Sequence, residues 1–64
     1  MIKIHNRAYR NSEERFISLD EVNIVAQKIC SFSGAPYILF EHKDFPLGSL
    51  RAEYDGTYWD CDLD

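Results

Sequence analysis

Hydrophobic and polar residues alternate at the start of the chain, as they do in a strand with one buried face. The segment from Glu14 to Ile17 is short enough to be a second strand. Asn11 and Ser12 supply turn residues between the two segments, which predicts a hairpin. The first strand would bury Ile2, Ile4 and Ala8, and it would present Lys3, His5, Arg7 and Tyr9 on a basic outer side.

The pattern then changes from alternation to helical spacing. Ser18 with Glu21 three residues later forms a capping box, a common start of a helix. Gly34 and Pro36 are typical stop signals. These signals predict a helix over residues 19–32. The apolar residues that would share its buried face are Leu19, Val22, Val25, Ala26 and Ile29.

The second half of the chain predicts three further strands. The apolar run Tyr37 to Phe40 indicates a strand that is central or covered on both faces. The segment 45–48, with proline second and glycine fourth, fits a type I turn. Asp55-Gly56 predicts a two-residue hairpin in which Arg51 faces Asp60. Its inner face would hold Leu50, Ala52, Tyr54, Trp59, Cys61 and Leu63, and its outer face Arg51, Glu53, Tyr58, Asp60 and Asp62.

These elements predict one compact α+β domain spanning residues 1–64. Its order would be β-β-α-β-β-β, with one helix packed on a largely antiparallel sheet. A chain of 64 residues has a small core, which supplies only about 3 to 5 kcal/mol of net stability. The apolar content of 45% is too high for a disordered chain.

Several features bear on where the protein acts. No apolar run approaches the roughly 18 residues of a membrane span, so we expect no membrane association. The N-terminus lacks the apolar stretch of a secretory signal, which favours a cytoplasmic location. Cys30 and Cys61 match no zinc spacing, and we expect both to be reduced, largely buried thiols.

The acidity of the chain is local. The net charge is −4, and residues 53–64 carry five of the eleven acidic residues and none of the seven Lys and Arg. Acids at alternate positions would form a stripe on one sheet face, and such a stripe attracts a basic partner. Tyr58 is the expected aromatic anchor. The candidate partner-binding residues are Glu53, Tyr58, Asp60, Asp62 and Asp64.

A structural interpretation of the same stripe stands beside the functional one. Polar residues must occupy the solvated face of any sheet. If the first and last strands were neighbours, the basic side of the first strand would neutralise the acids of the last.

The sequence favours a small intracellular protein-binding module or inhibitor, of a kind that suits a phage protein acting on a host enzyme. We expect no enzymatic activity and no cofactor, since the chain has no glycine-rich loop, nucleophile motif or metal spacing. Asp60-x-Asp62-x-Asp64 is a poor cation motif, because alternate residues of a strand diverge.

Two alternatives remain. A nucleic-acid-binding or regulatory module could use the basic N-terminal segment, although the acidic balance argues against nucleic acid. A homodimer could form through an exposed strand edge or through Ile24, which lies opposite the apolar face of the predicted helix. The basic residues of the first alternative are Lys3, Arg7, Arg10 and Arg15.

Overall fold

Six strands form one sheet in the computed structural model, which describes residues 1–6 and 14–63. The strands are β1 (Ile2–Asn6), β2 (Glu14–Ile17), β3 (Asn23–Ile29), β4 (Pro36–His42), β5 (Phe45–Tyr54) and β6 (Trp59–Leu63). Their order across the sheet is β2-β1-β6-β5-β4-β3. All neighbours run antiparallel except β1 and β6, which are parallel.

The predicted helix over residues 19–32 is wrong, and with it the α+β class. The capping signal produces only a single 3₁₀ turn, Leu19–Glu21, whose N-cap Ser18 accepts a hydrogen bond from Asp20 N at 3.3 Å. The chain then enters β3, which pairs with β4. Ile24, Val25 and Ile29 are β-branched, so they lose side-chain freedom in a helix but pack well in a strand.

The short link between β2 and β3 requires the sheet to curl. These strands stand at opposite ends of the order, which in a flat sheet would separate them by about 24 Å. Residues 18–22 contain a 3₁₀ turn and span only about 16 Å. In agreement, Arg15 Nη2 of β2 lies 2.5 Å from Asp44 Oδ2 in the β4–β5 turn. The two ends of the sheet therefore approach each other across its inner face.

The core lies inside this curl. The parity predicted for the first strand is confirmed at Ile2 and Ile4, which are buried, whereas Arg7, Ala8 and Tyr9 lie outside the described residues. Leu19 and Val22, in and just after the 3₁₀ turn, are partly buried and pack against the core. The fully buried apolar residues are Ile2, Ile4, Ile17, Ile38, Phe40, Ala52 and Cys61.

The type I turn predicted at residues 45–48 is also wrong. The chain reverses three residues earlier, in a turn centred on Lys43 and Asp44, where His42 Nδ1 accepts a hydrogen bond from Asp44 N at 3.1 Å. Pro46 and Gly48 lie inside β5, where the register with β4 shifts. Gly48 has a φ of 95°. Proline and glycine therefore mark a bulge here, another position in sheets where both are tolerated.

The hairpin at Asp55-Gly56 forms with a longer loop than predicted. Its loop comprises residues 55–58, and Tyr54 pairs with Trp59. The Asp55 carboxylate closes it by accepting hydrogen bonds from Thr57 N at 2.8 Å and Tyr58 N at 3.0 Å. The register differs from the expected one by two residues, and a shift of two leaves every side chain on its predicted face.

No helix in residues 1–6 and 14–63 is long and apolar enough to cross a membrane.

Candidate functional site

The outer face of the sheet collects the polar residues. Directly paired residues on adjacent strands point to the same side, so the strand registers define rows of neighbouring side chains. A second row, beside the main one, begins with Glu14, His5 and Asp62. The main row crosses all six strands and consists of Phe16, Lys3, Asp60, Glu53, Tyr37 and Lys28.

A shallow groove of about 270 Å³ opens on this face between β5 and β6. Three of the predicted partner-binding residues lie together there, because the hairpin register sets Glu53 opposite Asp60 and Asp62 follows on the same side. Asp64 lies outside the described residues. The groove is lined by Arg51, Glu53, Asp60 and Asp62.

Tyr58, the predicted aromatic anchor, sits on the β1 side of the groove. Its hydroxyl accepts a hydrogen bond from Lys3 Nζ at 3.2 Å, and Lys3 Nζ lies 5.2 Å from the centre of its ring. The Phe16 ring packs perpendicular to the Tyr58 ring, with ring centres 6.1 Å apart. The hydrogen bond to Tyr58 is the main cause of a raised pKa at Lys3.

Tyr37 borders the groove on the β4 side. The Arg51 guanidinium stacks 4.0 Å from the centre of its ring and donates a hydrogen bond to Glu53 Oε1 at 2.9 Å. Sequence reasoning missed this role of Tyr37, because the apolar run that contains it indicated only a buried strand. The two-residue period of a strand was the available signal, because it sets Tyr37 on the face opposite Ile38. In the structure Ile38 and Phe40 are buried, while Tyr37 is half-buried.

Basic residues of the same chain neutralise part of the negative charge of the outer face. β1 and β6 are neighbours, as the structural interpretation of the stripe required. His5 Nε2 lies 2.5 Å from Asp60 Oδ1, although without hydrogen-bond geometry, and it adds charge compensation only when protonated. Lys3 Nζ lies 3.3 Å from Glu14 Oε2. Asp62 is likewise engaged in an interaction within the chain.

Acidic groups nevertheless exceed basic ones on this part of the face. Strands β2, β1, β6 and β5 contribute four carboxylates, whereas only Lys3 and Arg51 are permanently charged cations at neutral pH. Arg7, which was expected to extend the basic stripe, lies outside the described residues. The four carboxylates belong to Glu14, Glu53, Asp60 and Asp62.

The two thiols have different environments and form no disulfide. Cys61 is buried, and desolvation, aided by Asp62 and Asp60, raises its pKa to about 11. Cys30 is half-buried in the β3–β4 turn, so the expectation of a largely buried thiol is not met there. Hydrogen bonds from the Ser33 side chain and from backbone groups of Ser33 and Phe32 lower its pKa to about 7.

The part of the chain that the structure describes contains no group of three or more His, Cys, Asp or Glu side chains placed to hold an ion. Comparison with family models, curated proteins and solved structures found no match to this chain.

Proposed function

We propose that this chain is a small protein-binding module that acts in the cytoplasm by docking its outer sheet face on a basic surface of another protein. The observation that carries the proposal is the solvent-open groove in which the carboxylates of Glu53, Asp60 and Asp62 surround a single Arg51. Tyr58 and Tyr37 flank it, and tyrosines contribute both apolar area and a hydrogen-bonding tip to interfaces.

Binding would begin with long-range attraction between the acidic face and a basic partner, which raises the association rate. Contact would then require exchange of the existing ion pairs. The Arg51–Glu53 pair is exposed, with side-chain accessibilities of 47% and 57%. Exposed pairs contribute only about 0 to 1 kcal/mol, so a partner arginine or lysine could replace Arg51 at little cost.

Such a module would act by blocking a site on its partner, not by catalysis. A domain with this groove could cover a basic site on an enzyme. An inhibitor that a phage encodes against a host enzyme is one example of such a protein. Binding of this kind requires surface charge and aromatic contacts, and the outer face supplies both.

The nucleic-acid alternative has less support. Lys3 and Arg15, two of its four basic residues, are engaged with Glu14 and Asp44. If it is correct, the protein should be retained on immobilised oligonucleotide at low salt, and changing Arg7 and Arg10 to Ala should abolish retention.

The protein-binding proposal is tested by affinity capture from a host lysate with three forms of the chain. The first is the wild type, and the second carries Asp60→Asn and Asp62→Asn. The third carries Asp20→Asn and Glu41→Gln, two exposed acids outside the groove, and it has the same net charge as the second. Circular dichroism and urea unfolding confirm that all three are folded before capture.

We expect a partner that binds the wild type and the third form, dissociates more easily in salt, and is lost from the second form. Equal capture by all three forms would show that the groove is not the binding site. Loss from both charge variants would show dependence on net charge alone, which also contradicts the proposal.

A further inference from the structure

β3 combines an open edge with exposed apolar side chains. It stands at one end of the strand order in the described part of the chain. Ile24, Val25 and Ile29 are 38%, 52% and 70% exposed, and Phe32 in the following turn is 99% exposed. Lys28 is the only charged residue among its seven, and the strand contains no proline.

Edge strands usually carry protection against pairing with other chains, in the form of charged residues, proline or a short length. β2, at the other end of the order, has only four residues and two of them, Glu14 and Arg15, are charged. β3 has a single register irregularity, between Ile24 and Ala26, and four of its seven residues are apolar. Its backbone groups on that side are a template for a further strand.

We propose that β3 pairs antiparallel with β3 of a second copy of this chain. The occupant and its direction follow from the charges at the two ends of the strand. Glu21 lies just before β3 and Lys28 near its end, and both are exposed. Antiparallel pairing sets Glu21 of each copy near Lys28 of the other, whereas parallel pairing would bring like charges together. The apolar Ile24 and Val25 then lie near the two-fold axis.

Such a contact is closed and symmetric, so it stops at a dimer. It covers apolar surface that a 64-residue chain with a small core otherwise exposes, which is a common route to stability at this size. An antiparallel pair also keeps both outer faces on the same side of the joined sheet. The dimer goes beyond the proposed protein-binding function and does not depend on it.

Sedimentation velocity of the full chain tests the proposal over concentrations from about 1 µM to about 1 mM. We expect the wild type to change from monomer to dimer within this range. Lys28→Glu and Glu21→Lys should each weaken self-association by about tenfold, because each places like charges at both ends of the pair.

The equimolar mixture of these two variants gives the sharpest result. In the mixed dimer, each end again joins an acidic residue to a basic one, so the mixture should associate about as tightly as the wild type. Restoration is not expected if either change acts only on the fold. A wild type that stays monomeric throughout, or a mixture no tighter than its components, would overturn the proposal.

A second pair of variants tests the apolar centre. Val25→Lys places a charge from each copy near the axis and should abolish the dimer, while the matched Val25→Thr keeps a β-branched side chain and should retain it. Circular dichroism confirms the fold of both. A dimer that persists in Val25→Lys would place the contact elsewhere on the molecule and refute the role of β3.

Discussion

Ile29 and Ile38 distinguish the strand account of residues 23–29 from the helix that the sequence suggests. In a helix over residues 19–32, Ile29 would pack against the sheet. In the structure it is 70% exposed, whereas Ile38 is 1% exposed. Ile38→Val should cost about 0.5 to 1.5 kcal/mol of unfolding free energy, since it leaves a small cavity. Ile29→Val removes a methylene group that is only about a third buried, which is worth about 0.2 kcal/mol.

Urea unfolding followed by Trp59 fluorescence measures this difference. With a slope of about 1 kcal/mol per molar urea, the midpoint should fall by about 1 M for Ile38→Val and by about 0.2 M for Ile29→Val, with unchanged slopes. The protein is kept at the lowest usable concentration, so that self-association does not contribute. Equal losses from the two variants would refute the strand account, because they would require Ile29 to be buried in the core.

Two further predictions follow from pKa values. Cys30 should be alkylated well before Cys61 in the folded protein, at a rate that rises as pH increases through about 7. Cys61 should react only after unfolding. Mass spectrometry of labelled peptides measures both alkylation rates, and comparable rates would contradict the burial of Cys61. Asp55→Ala should lower the melting temperature at neutral pH, because hydrogen bonds from Tyr58 N and Thr57 N hold the pKa of Asp55 below its usual 3.8. The stabilisation by the ionised Asp55 carboxylate is present above pH 3.8 and is lost as pH falls through the folded-state pKa, so the melting temperatures of the two proteins should converge in acid. A difference in melting temperature that stays constant with pH would exclude the ionised carboxylate as the source of the stabilisation.

The strands with one buried face were predictable from the sequence. Ile2 and Ile4 alternate with polar residues, and an alternating pattern has one favourable orientation on a half-buried sheet. The faces of β5 and β6 were correct for the same reason, even though the loop of their hairpin is longer than expected. The actual loop depends on the Asp55 carboxylate, which binds two backbone N–H groups that a two-residue turn would not present to it.

The segment after Ser18 was not predictable from local pattern. The Ser18 cap serves a single turn as well as a longer helix, and the spacing of Leu19 and Val22 suits both a helix and a link that packs on the core. A strand distant in the sequence determines that the turn does not continue as a helix. β4 offers seven residues of backbone to pair with β3, and the β-branched residues of β3 favour that pairing.

The acidic stripe shows where sequence reasoning about the site stops. Spacing alone placed Glu53, Asp60 and Asp62 on one face. It could not reveal that β1 would lie beside β6, since the parallel pairing joins residues nearly 60 positions apart. β1 supplies Lys3 and His5, which reduce the negative charge of the outer face without neutralising it fully.

The most direct test of the outer face as a docking surface is an amide chemical-shift titration of the ¹⁵N-labelled chain with an oligo-lysine peptide, at low and high salt. We expect the largest shifts at Glu53, Tyr58, Asp60 and Asp62, and we expect salt to reverse them. Shifts confined to β3, or spread evenly over exposed acids such as Asp20 and Glu41, would contradict the account.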